Sequence, residues 1–329
     1  MPQQRTLTVG VAMCIYNGAR YLKEQLNSIA AQEMPPAQMV VLDDGSTDGS
    51  WESLQAWVAD APFPVQVKRN PTQLGVVRNF ELACSMLNTD LVFLADQDDI
   101  WYPQKVRCFA CEFASDPQLM LLHSDADLID GTGKLLGKHL LDALLVTTHE
   151  RELVTQGRAW QVYAKRNLVT GAACAFRREL LDIARPFSLL WVHDEWLAFH
   201  AALVGRVSVW PESVMAYRLH GSNTVGLPLP TLAWRVRTTI QAFTEPTSYR
   251  QLTRAERLDE IGDVARRLEV AQPILEHLGR AAAHARFRSA LPSNPMQRLA
   301  CIWDERRLGH YHLWSNGPVS MLHDLLIAH

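Results

Sequence analysis

Three carboxylates fall within four positions at Asp96-Gln97-Asp98-Asp99, directly after the apolar run Leu91-Val92-Phe93-Leu94-Ala95. In a strand's period of two, Asp96 and Asp98 point the same way. Carboxylates packed so closely repel one another unless something cationic sits between them. A hard divalent ion, Mg²⁺ or Mn²⁺, binds through one or two carboxylates plus the phosphates of a substrate. The stretch therefore reads as a metal–diphosphate site at the C-terminal end of a central strand, where open α/β sheets bind ligands. The alternative is a solvated acidic turn. A second carboxylate pair, Asp43-Asp44, follows the apolar run Met39-Val40-Val41-Leu42. Two such clusters at one sheet edge are hard to justify as solvated turns. A nucleoside with a metal-bound diphosphate accounts for both.

The elements that must position these residues follow from the apolar pattern. Leu7 to Ile15 reads as a first strand ending at Tyr16-Asn17-Gly18, and Leu22, Leu26 and Ile29 mark one face of the next helix. After the strand at 39–42, Ser46, Thr47 and Asp48 are candidate caps of a helix carrying Trp51, Leu54 and Val58. A third strand at 64–68 and a helix with Phe80, Ala83, Cys84 and Leu87 on one face lead to the strand at 91–95. This β-α-β-α-β-α-β order predicts a mostly parallel sheet covered on both faces. The Gly-x-Gly-x-x-Gly turn of dinucleotide folds is missing after the first strand. Further on, a helix is expected from Pro103 to Ser115, a strand at 119–122 leading to His123-Ser124-Asp125-Ala126-Asp127, and a tight turn at 130–133. Residues 138–165 are poorly patterned and read as helix and loop, or a flap. The small apolar stretch 169–176 reads as a strand over which something must approach closely, Trp191 to Trp196 opens a helix, and two short strands are expected at 207–210 and 214–218. From Leu232 onward, helical spacing and Arg dominate, giving four to six helical segments.

The chain has 329 residues and a net charge of -3, enough for one or two domains and with no pull toward nucleic acid. No apolar run reaches membrane-spanning length, and the N-terminus carries no signal-peptide pattern. Six cysteines scattered through a large chain suggest reduced thiols in a cytoplasmic protein. Cys108 and Cys111 form the one close pair; with no second pair beside it, core cysteines are a better reading than zinc.

The ordered set Ala12-Met13-Cys14-Ile15-Tyr16-Asn17, Asp43-Asp44-Gly45-Ser46-Thr47-Asp48, Asp96-Gln97-Asp98-Asp99-Ile100-Trp101, His193-Asp194-Glu195-Trp196 and Tyr217 to Thr224 resembles the family-2 inverting glycosyltransferases. Within that family it is most similar to the bacterial rhamnosyltransferase-like group that builds surface polysaccharides. The resemblance implies an α/β GT-A fold, with a mostly parallel, Rossmann-like sheet and helices on both faces. It implies a catalytic domain over 1–226 and leaves 227–329 as a helical C-terminal region with no function carried onto it. Tyr16 would stack near the nucleoside base, and Asp44 would accept a hydrogen bond from an imide N–H, favouring uracil or thymine. Arg78 would lie near base or phosphate. Asp96 and Asp98 would form the DxD pair, with Asp98 as the direct ligand of Mg²⁺ or Mn²⁺. Asp194 falls at the catalytic base, with Glu195 beside it as an alternative, and His220 falls where some members complete the metal or diphosphate shell. Many members have Glu-Asp where this chain has His193-Asp194; the rhamnosyltransferase-like group commonly has His there.

The expected donor is a dTDP- or UDP-linked sugar, dTDP-rhamnose among them. The expected acceptor is a glycan or lipid-linked saccharide in surface polysaccharide synthesis. Arg235, Arg237, Arg250, Arg254, Arg257, Arg266 and Arg267 read as a solvated helical face or as a surface resting on anionic lipid at the inner face of the cell membrane. Asp125 and Asp127 read as lining a sugar or as a solvated strand end. Three rivals remain. A haloacid-dehalogenase-like phosphatase would carry its Asp-x-Asp on the first strand, with the first Asp a nucleophile. A non-catalytic nucleotide-sugar binding protein would bind without turnover. A nucleotidyltransferase would want a Gly- and Lys-rich loop after the first strand, for which Asn17-Gly18-Ala19-Arg20 is a poor match.

Overall fold

A computed structural model describes residues 6–220 and 247–326. Contacts divide the chain into two compact units, Met1–Ala159 with Leu168–Leu227, and Trp160–Asn167 with Pro228–His329.

The first unit opens with β1 (Val9–Ile15), α1 (Ala19–Ala30), β2 (Gln38–Asp43), α2 (Ser50–Val58), β3 (Val65–Arg69), α3 (Val76–Ser85) and β4 (Leu91–Ala95). These four strands pair in parallel in the order β3-β2-β1-β4. All five residues of β4 are buried, as are the interiors of β1 and β2, so the apolar runs mark strands covered on both faces. The buried face of α1 is Leu22, Leu26 and Ile29, and that of α3 includes Phe80, Ala83 and Cys84. The cap of α2 differs from expectation. Gly49, at a φ of 90°, takes that position, and Asp48 instead receives the Ser50 amide and hydroxyl.

The second half of the sheet is mixed. β5 (Ile100–Trp101) is followed by α4 (Lys105–Ser115), β6 (Leu119–Asp130) and β7 (Leu135–His139). The strand expected at 119–122 runs through to Asp130, so Asp125 and Asp127 sit within a strand and not at its end. Asp125 accepts from the Leu141 amide and Asp127 from the Tyr102 hydroxyl. Three short helices, α5 (Leu140–Ala143), α6 (Thr148–Thr155) and α7 (Ala159–Tyr163), occupy the poorly patterned stretch, with a capping box at Thr147 and Glu150. Residues 169–176 split into a 3₁₀ turn at Gly171–Ala173 and β8 (Cys174–Arg177). After α8 (Leu181–Ala184) and α9 (His193–Val204), the two strands expected at 207–210 and 214–218 form one, β9 (Arg206–Leu219). Its pairing with β6 jumps from Trp210 to Ser213, so Pro211, which cannot donate to the ladder, sits in a bulge.

β9 runs parallel to β6 and antiparallel to β5, placing Ile100 opposite Ala216 and Trp101 opposite Met215. That register carries the end of β9 to the Asp96–Asp99 loop. Trp101, Trp191 and Trp196 are core residues. Cys108 is half-buried and Cys111 exposed on one face of α4, so neither is a core cysteine; Cys84 and Cys174 are.

Besides most of α7, the described part of the second unit holds α10 (Thr247–Arg267), α11 (Gln272–Ser289), α12 (Pro295–Arg307), α13 (His310–Trp314) and α14 (Pro318–Leu326). Leu258, Ile261, Val264, Ala265 and Leu278 are buried between them. The Arg series is not one solvated face. Arg254 turns inward and donates to the Ala164 carbonyl, Arg257 is half-buried, and Arg250, Arg266 and Arg267 are exposed. Arg235 and Arg237 lie outside the described residues. No helix among the described residues is long and apolar enough to cross a membrane.

Candidate active site

Asp96 follows β4 and stands at the C-terminal edge of the parallel strands, with Asp44 at the end of β2 and Tyr16 at the end of β1. Gln97 joins two of these ends. Its side-chain carbonyl accepts from the Tyr16 amide at 2.8 Å, and its amide donates to the Tyr16 carbonyl at 3.0 Å. The fit is tight enough that a Cβ on Gly18 would stand 2.2 Å from Gln97. Tyr16 itself is 47% exposed, so its ring is available to a ligand.

The carboxylate cluster is built by contacts distant in sequence. Asp98 Oδ2 lies 2.6 Å from His220 Nε2. Asp99 Oδ1 accepts from the Arg218 amide at 2.9 Å. The Arg218 guanidinium donates to the Asp98 carbonyl and to Glu24, and lies over the Tyr21 ring. The same Tyr21 ring packs on His220 at 4.9 Å. Arg218 thus sets the backbone of the loop and keeps its carboxylates close enough to feel one another's charge. The cost shows in their protonation. Burial, then Asp98, then Asp194 raise Asp96 to about 7. Burial and the neighbouring Asp98 and Asp96 push Asp99 well above the ordinary range. Asp99 Oδ2 is buried and accepts no hydrogen bond among the described residues. A hard divalent cation fits this set: oxygen donors in excess, an orphaned carboxylate oxygen, and an imidazole beside Asp98.

Asp194 opens α9. Its Oδ2 accepts from the Gly171 amide at 2.8 Å and its Oδ1 from the Glu195 amide at 2.7 Å. Burial raises it to about 6, with those backbone donors acting in the opposite direction. A carboxylate poised there is ionised at neutral pH yet basic enough to take a proton. Asp194 adds to the charge felt by Asp96, so the candidate base and the candidate metal loop share one site. Gly171 is required by this close approach: a Cβ there would stand 2.9 Å from His193 Nε2 and 3.6 Å from Asp194 Oδ2. His193 is buried, stacked on Phe80 at 4.2 Å, and kept neutral by burial, which lowers it to about 3.

Two of the expected base-site residues have structural partners. Asp44 is 4% exposed and accepts three hydrogen bonds, from the Leu74 amide, the Gly75 amide and the Asn70 side chain, which shape the loop before α3. Arg78 projects from the first turn of α3 and pairs with Glu81 at 2.6 Å. Asp96, Asp98, Asp194 and His220 are brought together by the fold.

Sequence reasoning gave no role to Gln97, Arg218 or Lys105, whereas the close approach expected along 169–176 is met at Gly171 by His193 and Asp194. Lys105 is wholly buried at the start of α4; burial lowers it to about 7, against the pull of Asp99, Cys174 and Asp96. The run Pro103-Gln104-Lys105-Val106 carries no local mark of a buried amine.

Residues 10–182 match the family described as Glycosyl transferase family 2. An uncharacterized glycosyltransferase of Nostoc sp., alr2836, is 27% identical over 224 residues, 66% of this chain and 66% of that protein. The dTDP-rhamnosyl transferase RfbG of Shigella flexneri is 29% identical over 99 residues, 29% of this chain and 34% of that protein. The chain therefore spans just under two thirds of the first relative's length and about a third of the second's. Among solved structures, the mannosyltransferase PcManGT from Pyrobaculum calidifontis, in complex with GDP-Man and Mn²⁺, superposes with a TM-score of 0.53 at 18% identity, covering 98% of this chain and 88% of that one. That likeness is one of fold, the GT-A arrangement. With more than half of its length inside the family match, and its carboxylates gathered at the edge of the parallel strands, this chain belongs to Glycosyl transferase family 2.

Proposed function

We propose that the chain is a divalent-metal-dependent, inverting glycosyltransferase that moves a sugar from a nucleotide-diphospho-sugar to a glycan or lipid-linked acceptor. The observation that carries this reading is the pairing of an over-charged carboxylate loop with a separately held carboxylate, Asp194, in one site. Asp98, with His220 beside it, would hold Mg²⁺ or Mn²⁺, and Asp96 would support the donor. Bound there, the metal supplies positive charge to the leaving diphosphate. Asp194 takes the acceptor hydroxyl's proton as that oxygen attacks the anomeric carbon, and the turn at Gly171 keeps its carboxylate aimed while it does so. A single displacement with one base inverts the anomeric centre and needs no covalent intermediate.

The donor we favour is dTDP- or UDP-linked. The short stretch shared with the Shigella dTDP-rhamnosyl transferase supports dTDP-rhamnose, and the exposed Tyr16 ring supports base stacking, while Asp44 would read a pyrimidine imide only beside the loop contacts it already makes. The mannosyltransferase of similar fold binds GDP-Man, so the fold itself leaves the base open. We place the work of the enzyme in bacterial surface polysaccharide synthesis, at the cytoplasmic side. Met296, Leu299 and Trp303, an exposed apolar stripe on α12 with Arg306 over the Trp303 ring, support peripheral contact of the helical unit with a membrane.

The test is transfer from radiolabelled dTDP- and UDP-sugars by the wild type and by Asp194→Asn. Retained donor binding with lost turnover supports the reading. Equal turnover by both removes Asp194 as the base.

A further inference from the structure

Lys105 is fully buried, and burying an amine among apolar side chains is unfavourable unless its donors are used. A Met of similar length would pack there at less cost. Its Nζ lies 4.0 Å from the centre of the Trp101 ring and 3.4 Å from Met215 Sδ, and it donates to the Ala172 carbonyl at 2.6 Å. Ala172 is the middle residue of the Gly171–Ala173 turn. The first residue of that turn gives its amide to Asp194 Oδ2 at 2.8 Å. One turn is thus gripped from two sides, by Asp194 at residue 171 and by Lys105 at residue 172. On its other side, Lys105 is tied to the metal loop. Trp101, over which it sits, leaves that loop in β5, and Asp99 and Asp96 are the carboxylates whose charge it feels.

We propose that Lys105 is a positioning residue for transfer: its amine ties the turn that aims Asp194 to the Asp96–Asp99 loop, and so holds the base at a set distance from the donor diphosphate. The hydrogen bond to Ala172 needs an N–H, which the side chain has whether or not it is charged. The inference rests on the reading of Asp194 as the base and of Asp98 as the metal ligand. A misplacement of a base by about 1 Å costs on the order of 100-fold in rate, so a single hydrogen bond at this point is enough to matter.

The experiment is Lys105→Met, with three measurements beside the wild type. Hydrogen–deuterium exchange on the metal-free protein is expected to show faster exchange confined to the segment around 169–175. Calorimetry is expected to give Mn²⁺ and nucleotide affinities within about 3-fold of wild type, or tighter, because the carboxylate loop loses nothing that binds a cation. The turnover number is expected to fall about 10- to 100-fold with little change in donor KM. Unchanged exchange at 169–175, or a turnover loss matched by an equal loss of donor and metal affinity, overturns the proposal and makes Lys105 an ordinary core residue. Should Lys105→Met not fold, Gly171→Ala moves the same turn from the other side, since its Cβ meets His193 and Asp194; the same split between turnover and affinity is expected, and its absence overturns the proposal. Asp194→Asn, assayed alongside, separates the two claims. If it turns over normally, the base assignment fails, and the exchange data still report whether Lys105 holds the turn.

Discussion

His220 Nε2 lies 2.6 Å from Asp98 Oδ2 although 122 positions separate them. The contact exists because β9 pairs with β5 and β6, and because Tyr21 supports both the His220 ring and the Arg218 guanidinium. On the proposed reading, an imidazole so close to a carboxylate in a loop of three carboxylates would either share the cation or fix the carboxylate that holds it. Both roles predict the same order of effects. Asp98→Asn should abolish the Mn²⁺-induced rise in thermal midpoint and lower turnover at least 100-fold. His220→Ala should weaken the Mn²⁺ response and activity by about 10- to 100-fold. A full metal response in Asp98→Asn would place the ion elsewhere.

Asp194 makes the pH profile specific. A base must be unprotonated, and burial raises Asp194 to about 6. Turnover is therefore expected to be flat above pH 7 and to fall below about 6, with unit slope. Asp194→Asn should lose about 10²- to 10⁴-fold in turnover and lose that acid limb, while donor affinity stays within a few-fold. Glu195→Gln should keep both. The reverse pattern would make Glu195 the base.

The metal-free carboxylate loop should be a stability liability with a defined sign. Asp96 is raised to about 7 in the folded chain, from an ordinary 3.8. Between those values the folded state holds a proton that the unfolded state has released. Stability from this group is present at low pH and lost as pH rises through about 7. Asp96→Asn should therefore raise the thermal midpoint of the metal-free protein at pH 8 and leave it nearly unchanged at pH 4. A lower midpoint at pH 8 would contradict the electrostatic account.

Asp44 is expected to act through the loop it holds as well as through any base it meets. Removing its carboxylate leaves the Leu74 and Gly75 amides and the Asn70 side chain without their acceptor. Asp44→Ala should cost on the order of 3 kcal/mol in stability and weaken nucleotide binding together with it. Denaturant titration beside calorimetry checks this. Weakened binding at wild-type stability would assign Asp44 to the ligand alone.

The parallel half of the sheet was legible because its strands are buried on both faces, so their apolar runs are continuous and end abruptly at Asp43 and Asp96. The mixed half was harder to read. Pro211 split β9 into two apparent strands, and the carboxylates of β6 disguised a strand as a strand end. Candidate chemical groups stood out by type, as at Asp98 and Asp194. Their supports did not, because Gln97, Arg218 and Lys105 act through contacts 67 to 194 positions away, which no local pattern encodes.

The most direct measurement is calorimetric titration of the purified protein with UDP, dTDP, GDP and CMP, each with Mn²⁺ and with EDTA. The account predicts that UDP or dTDP binds in Mn²⁺ and is lost in EDTA and in Asp98→Asn, with dTDP alone indicating a deoxysugar donor. Selective binding of GDP would overturn the base assignment at Tyr16 and Asp44 while leaving the metal site intact. A folded protein that binds none of the four would contradict the central claim.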